Sequence, residues 1–256
     1  MDREKLTDLF DLTGRTAIVT GGTQGIGLAI AEGYIAAGAN VVVASRKADA
    51  CEAAAKHLRG LGGQAVGVVT HTGNLDDLTR LVGRAVEAFG GIDILVNCAA
   101  NPLAQPLGEQ TPEAWAKSYD VNLRGPVFLV QAALPYLEAS EHAAILNVIS
   151  AGAFMFAPRV SMYAAGKAAL MSFTRSMAAD FAERGIRVNA LAPGAVNTNM
   201  VRNNSQEAID AMRQISFQKR IAEPDEMVGP ALLLTSDAGS FITGQVIIAD
   251  GGMVAR

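Results

Sequence analysis

The stretch Thr20-Gly21-Gly22-Thr23-Gln24-Gly25-Ile26-Gly27 decides the fold. It follows the β-branched run Thr16 to Thr20 and leads straight into a small-residue helical segment, Gly25 to Ala37, closed by Gly38. A strand, a glycine turn and a helix in that order make a phosphate cradle. Backbone N–H groups at the positive helix end come close to a pyrophosphate because no side chain stands in the way. A tight turn without a ligand uses glycines too, so the cluster gains weight only from its setting.

Further apolar runs read as strands at about Asn40 to Ala44, Gln64 to Val69, Ile92 to Asn97, Ala143 to Ile149, Arg187 to Leu191 and Gln245 to Ala249. Helical patterns separate them. This alternation predicts an α/β fold, a doubly wound, Rossmann-like parallel sheet of about seven strands with helices on both faces. Ala48 to Arg59 reads as a helix closed by Gly60. Asn74 and Thr111 read as helix caps, and Pro112 suits a first helical turn, where its missing N–H leaves nothing unpaired. No linker, charge block or fixed repeat divides the chain, so residues 1–256 are expected to form a single catalytic domain.

Half of the 256 residues are hydrophobic and 18% are charged, enough to bury a large core. A net charge of −4 without a basic stripe argues against nucleic acid and anionic membrane as partners. Met1 to Thr13 is polar, and no apolar run reaches the roughly 18 residues of a membrane span, so a cytoplasmic location is expected. Cys51 and Cys98 are isolated and read as free thiols. His57, His71 and His142 lack metal-ligand spacing, and no catalytic metal is expected.

Tyr163 and Lys167 stand four residues apart, on one face of a helix. Alone, such a pair is ordinary. Ser150 precedes Tyr163 by 13 residues, at the end of the apolar run Ala144 to Ile149. Pro126 follows Asn122 by four residues and has no N–H for the Asn122 carbonyl, which predicts a bent helix with that carbonyl free to hold water. A simple kinked helix with a buried amide is the alternative reading of the same residues.

Three residues separate Gly21 from Gly25, and this TGxxxGxG form resembles the short-chain dehydrogenase/reductase family. Ser150, Tyr163-x-x-x-Lys167 and Asn122 extend the resemblance over nearly the whole chain. It implies an NAD(P)-dependent oxidoreductase that moves a hydride between a dinucleotide and a small-molecule carbonyl or alcohol. In that pattern Ser150 bonds the substrate oxygen and Tyr163 is the general acid/base. Lys167 holds the ribose and, with a cationic nicotinamide, draws the phenol toward phenolate. The Asn122 carbonyl binds a water that extends the proton path.

The same resemblance implies cofactor contacts from Gly21, Thr23, Gln24, Gly25, Ile26, Gly27, Ser45, Arg46, Asn97, Ala99, Tyr163, Lys167, Pro193, Gly194, Val196 and Thr198. Asn97-Cys98-Ala99-Ala100 resembles the family's Asn-Asn-Ala-Gly segment, and Ala192 to Thr198 its nicotinamide-facing loop. At the second strand's end, Ser45 stands where an NAD-selective site carries a carboxylate, and Arg46 suits a 2′-phosphate. This favours NADP(H). Gln24 replaces a basic residue common in the NADP-selective pattern, and a solvated Arg46-Lys47 helix entry leaves NAD(H) open. His71 occupies the place where the family commonly carries an aspartate beside the adenine; its ring either meets the base or is a surface histidine.

Residues 199–220 read as a lid, with Met200, Met212 and Phe217 among polar residues. Phe154, Met155 and Phe156 read as an apolar substrate wall. Phe241 to Gly252 resembles the family's final strand, which implies a homotetramer. Two other readings stand beside carbonyl chemistry: reduction of an activated C=C bond, and a cofactor-binding regulator without turnover. Two hydroxyls converging on one oxygen favour C=O.

Overall fold

The computed structural model describes residues 1–156 and 158–254. Among them, seven strands form one parallel sheet. They are β1 (Thr16–Thr20), β2 (Asn40–Ser45), β3 (Ala65–Val69), β4 (Ile94–Asn97), β5 (Ala144–Val148), β6 (Arg187–Pro193) and β7 (Val246–Ala249). Their order is β3-β2-β1-β4-β5-β6-β7. The chain winds outward from β1 to β3, then crosses back to lay β4 on the other side of β1. That reversal opens a crevice above the carboxyl ends of β1 and β4.

Every residue of β1, β4 and β5 is buried, because helices cover both faces of the sheet. Side chains alternate between two cores, as strand geometry requires. Ala17, Val19, Val41, Val43, Ile94 and Val96 pack on one face with the helix Gly25–Ala36. Ile18, Val42, Ala44, Leu95, Ile145 and Val188 pack on the other with Leu78, Leu81, Leu129 and Ala133. Each core runs the length of the sheet, which fixes where the strand ends lie.

The Asn74 side chain accepts hydrogen bonds from Asp76 N and Asp77 N, and Thr111 caps Ala114 N ahead of Pro112. Two readings change. Gly60 is the last residue of the helix Ala48–Gly60, and the left-handed position that ends the segment is Gly62, with φ +95°. Around Asn122 the helix is widened rather than simply bent. A π-helical turn, Asp120–Arg124, joins the helices Pro112–Tyr119 and Gly125–Leu137, and Gly125 N–H bonds back to the Asp120 carbonyl. The Gly125 N–H is thereby spent on Asp120, and Pro126 brings no N–H to the carbonyls ahead of it.

No helix among the described residues is long and apolar enough to cross a membrane.

Candidate active site

A cleft of about 370 Å³ lies over the carboxyl ends of the strands. Gly21, Thr23, Gln24, Gly25, Ile26 and Gly27 line it after β1, Ser45 and Arg46 at the end of β2, and Ala99 after β4. Ser150, Tyr163 and Lys167 line it after β5, and Pro193, Gly194, Val196 and Thr198 at and beyond the end of β6. Residues spread over 178 positions of sequence meet here because every parallel strand points the same way.

The first turn is built to leave its amides free. Gln24 is the N-cap of the helix Gly25–Ala36, yet its side chain makes no cap hydrogen bond. It accepts instead from Asn199 Nδ2 at 2.9 Å. The helix's first N–H groups therefore have no side-chain acceptor, the arrangement that receives phosphate oxygens. Gly27 is obligatory for close approach, since a Cβ there would run into the carbonyl of Gly21. Gly25 adopts φ +54° and lies against the Thr198 side chain. These features fit a dinucleotide pyrophosphate.

Thr20 fastens the two strands that flank the crevice. Its hydroxyl accepts from Cys98 N at 3.1 Å and Ala99 N at 3.2 Å, and lies 3.2 Å from the Val96 carbonyl. Its place at a strand end was the only sequence sign of this clamp.

Ser150, at the exit of β5, accepts a hydrogen bond from Gly152 N at 3.0 Å. Its hydroxyl proton is left to turn toward the Tyr163 oxygen or a ligand. Tyr163 and Lys167 share the helix Ser161–Phe181, and the lysine nitrogen lies 5.8 Å from the centre of the tyrosine ring. Lys167 is buried and donates to the Val148 carbonyl at 2.8 Å.

Burial sets the acidity of both groups. It pushes the Tyr163 phenol up to about 12, against a lowering hydrogen-bond effect from Ser150. It holds Lys167 down to about 8, with Cys98 pulling the other way. The spacing argument had the ammonium lowering the phenol. In the folded chain burial alone moves each group away from its charged form, because that form loses water. Cys98, in the same wall, is raised to about 11 by burial.

Asn97 and Asn122 do not line the cleft. The Asn97 amide donates to Asn147 Oδ1 at 2.9 Å, and Asn147 donates to Thr174 at 2.9 Å, tying β4 to β5 and to the helix that carries Lys167. Asn97 thus braces the site instead of facing a cofactor with its side chain. The Asn122 side chain, wholly buried, bonds the backbone of Asn101. Phe154, Met155 and Phe156 are also absent from the cleft wall, and Phe156 is 78% exposed. Lys117, Val121 and Asn101 do line it, with no motif to announce them.

A family model described as Enoyl-(Acyl carrier protein) reductase matches residues 21–254. The chain is similar to Dehydrogenase/reductase SDR family member 4 of Homo sapiens, 38% identical over 248 residues, covering 96% of this chain and 89% of the relative. A dehydrogenase/reductase from Sinorhizobium meliloti 1021 has a similar structure, with a TM-score of 0.94, 32% identity, and coverage of 98% of this chain and 99% of the other. A 3-oxoacyl (acyl-carrier-protein) reductase from Agrobacterium tumefaciens C58, solved with NADP bound, gives 0.90 and 37% identity, covering 96% of each chain.

Proposed function

The chain belongs to the short-chain dehydrogenase/reductase family, oxidoreductases that use NAD(P), and we propose that it interconverts a ketone or aldehyde and an alcohol with NADP(H). The observation that carries the reading is the meeting of Ser150, Tyr163 and Lys167 with an uncapped helix start in one cleft.

A bound dinucleotide supplies the hydride and, when oxidised, a ring charge that draws the phenol toward phenolate. Tyr163, with its acidity held at about 12, keeps its proton until a developing alkoxide takes it. Ser150 donates to the same oxygen, its lone pair engaged by Gly152 N–H. Lys167 spends one N–H on Val148 and keeps two donors, suited to a ribose hydroxyl and to water from the Asn122 turn.

Arg46 and Ser45, with no carboxylate beside them in the sequence, favour the 2′-phosphate of NADP(H), as does likeness to a reductase solved with NADP. Residues 199–220 serve as the lid. Asn199 to Arg202 already line the cleft, and the Asn199–Gln24 bond fastens the strap to the glycine turn. The exposed Phe241 and the sheet-edge strand β7, with Ile248 41% exposed, suit a homotetramer.

The test is oxidation of NADPH and NADH by the purified protein against a panel of ketones, diketones and quinones. Tyr163→Phe should cut turnover by at least about 10²-fold while the dinucleotide still binds. Ordinary rates in that variant would remove the assignment. The matching model's enoyl description favours a second reading, reduction of a C=C bond; product analysis separates it from an alcohol product.

A further inference from the structure

We propose that His71 relaxes the choice of purine, so that the protein takes a 6-oxopurine dinucleotide about as readily as the adenine one. This rests on the dinucleotide reading above. With phosphates at the helix start after β1 and reaction at Tyr163, the adenosine half lies over β2 and β3, beyond Ser45 and Arg46. His71 follows β3 and lines that end of the cleft.

Its bonding groups are committed except one. The backbone N–H donates to Asp77 Oδ2 at 2.8 Å, and the carbonyl accepts from Asn74 N at 2.8 Å. Ring Nδ1 accepts from Gly73 N at 3.1 Å. Because Nδ1 is an acceptor, the neutral ring carries its proton on Nε2, and that N–H has no acceptor among the described residues. Gly73 lies against the ring: a Cβ there would come within 3.0 Å of ring Cε1. That end of the cleft therefore carries an exposed donor.

Adenine has one donor toward such a wall, its 6-amine; its ring nitrogens accept. A carboxylate selects that amine. A donor does not: it pairs with N7 of either base, or with the carbonyl that replaces the amine in hypoxanthine. His71 thus carries no penalty against the 6-oxo form.

The test is the dissociation constant of NADPH and of its hypoxanthine analogue, measured by nicotinamide fluorescence. The NADH pair is measured in parallel, since the ratio does not depend on the 2′-phosphate. The two bases should bind within about threefold, and His71→Asp should shift the ratio about tenfold toward adenine, the worth of one hydrogen bond. His71→Gln, which offers donor and acceptor, should keep the wild-type ratio. A tenfold adenine preference in the wild type, or an unchanged ratio in His71→Asp, overturns the proposal. Failure of every dinucleotide to bind the wild type would overturn the cofactor reading itself.

Discussion

Asn122 is paired at both ends of its amide with one residue, Asn101: Nδ2 donates to the Asn101 carbonyl at 2.8 Å, and Oδ1 accepts the Asn101 N–H at 3.0 Å. A third contact, Nδ2 to Ser118 Oγ at 3.3 Å, is made within the same helical region. The π turn thereby holds the segment after β4 that walls the cleft. Asn122 serves as a brace through its side chain, whatever its carbonyl holds.

Removing that brace has a stability cost. Asn122→Ala loses the reciprocal pair and strands two backbone groups of Asn101, so unfolding in urea should show a loss of about 1–3 kcal/mol. Asn122→Asp should be worse, because a buried carboxylate would face the Asn101 carbonyl. A loss under about 0.5 kcal/mol in the alanine variant would show that water replaces the amide freely.

Lys167 makes stability depend on pH in a defined direction. Its folded pKa of about 8 lies below the ordinary 10.5, so between those values the unfolded chain binds more protons. Stability therefore rises with pH from about 8 upward. Tyr163 and Cys98, held at about 12 and 11 in the fold, oppose this once their unfolded forms ionise. The informative quantity is the difference between wild type and Lys167→Met across about pH 7.5 to 9. It should shrink as pH rises, the variant being favoured most at the low end; a constant difference would show that Lys167 is not desolvated.

Cofactor choice should follow the end of β2. Arg46→Ala should raise the KM for NADPH about tenfold or more and leave that for NADH nearly unchanged, since one charge-assisted contact is worth about 1.5–3 kcal/mol. Ser45→Asp should go further and favour NADH through the ribose hydroxyl. Equal effects on both cofactors would mean that Arg46 does not meet the 2′-phosphate.

The strap over the glycine turn should be tuned by its one bond to Gln24. Asn199→Ala removes the 2.9 Å contact. Dinucleotide dissociation, followed by stopped flow, should quicken several-fold with stability almost unaffected, because both partners are exposed. An unchanged off-rate would place the gate elsewhere in residues 199–220.

Much of this site was legible residue by residue. The β-branched runs and the glycine spacing identify strand, turn and helix, and the order of those units implies a parallel sheet whose loops meet at one edge. Tyr163 and Lys167 lie close enough in sequence for helix geometry to place them on one face, while Ser150 entered through the family resemblance. Asn97 was not legible in this way, because its partner Asn147 is 50 positions distant. The run Phe154-Met155-Phe156 lay equally beyond local reading, since apolar composition does not say whether a side chain meets the cleft.

By itself, the sequence determined what depends on neighbours a few positions apart: strand periodicity, helix caps and the small residues of the phosphate turn. Tertiary structure alone decided the depth at which Tyr163 and Lys167 sit, and hence the sign of their pKa shifts, together with the proton position on His71. Desolvation sums over every element packed around a group, and a ring nitrogen's role depends on which N–H the folded chain sets against it; neither quantity exists before the chain has closed on itself.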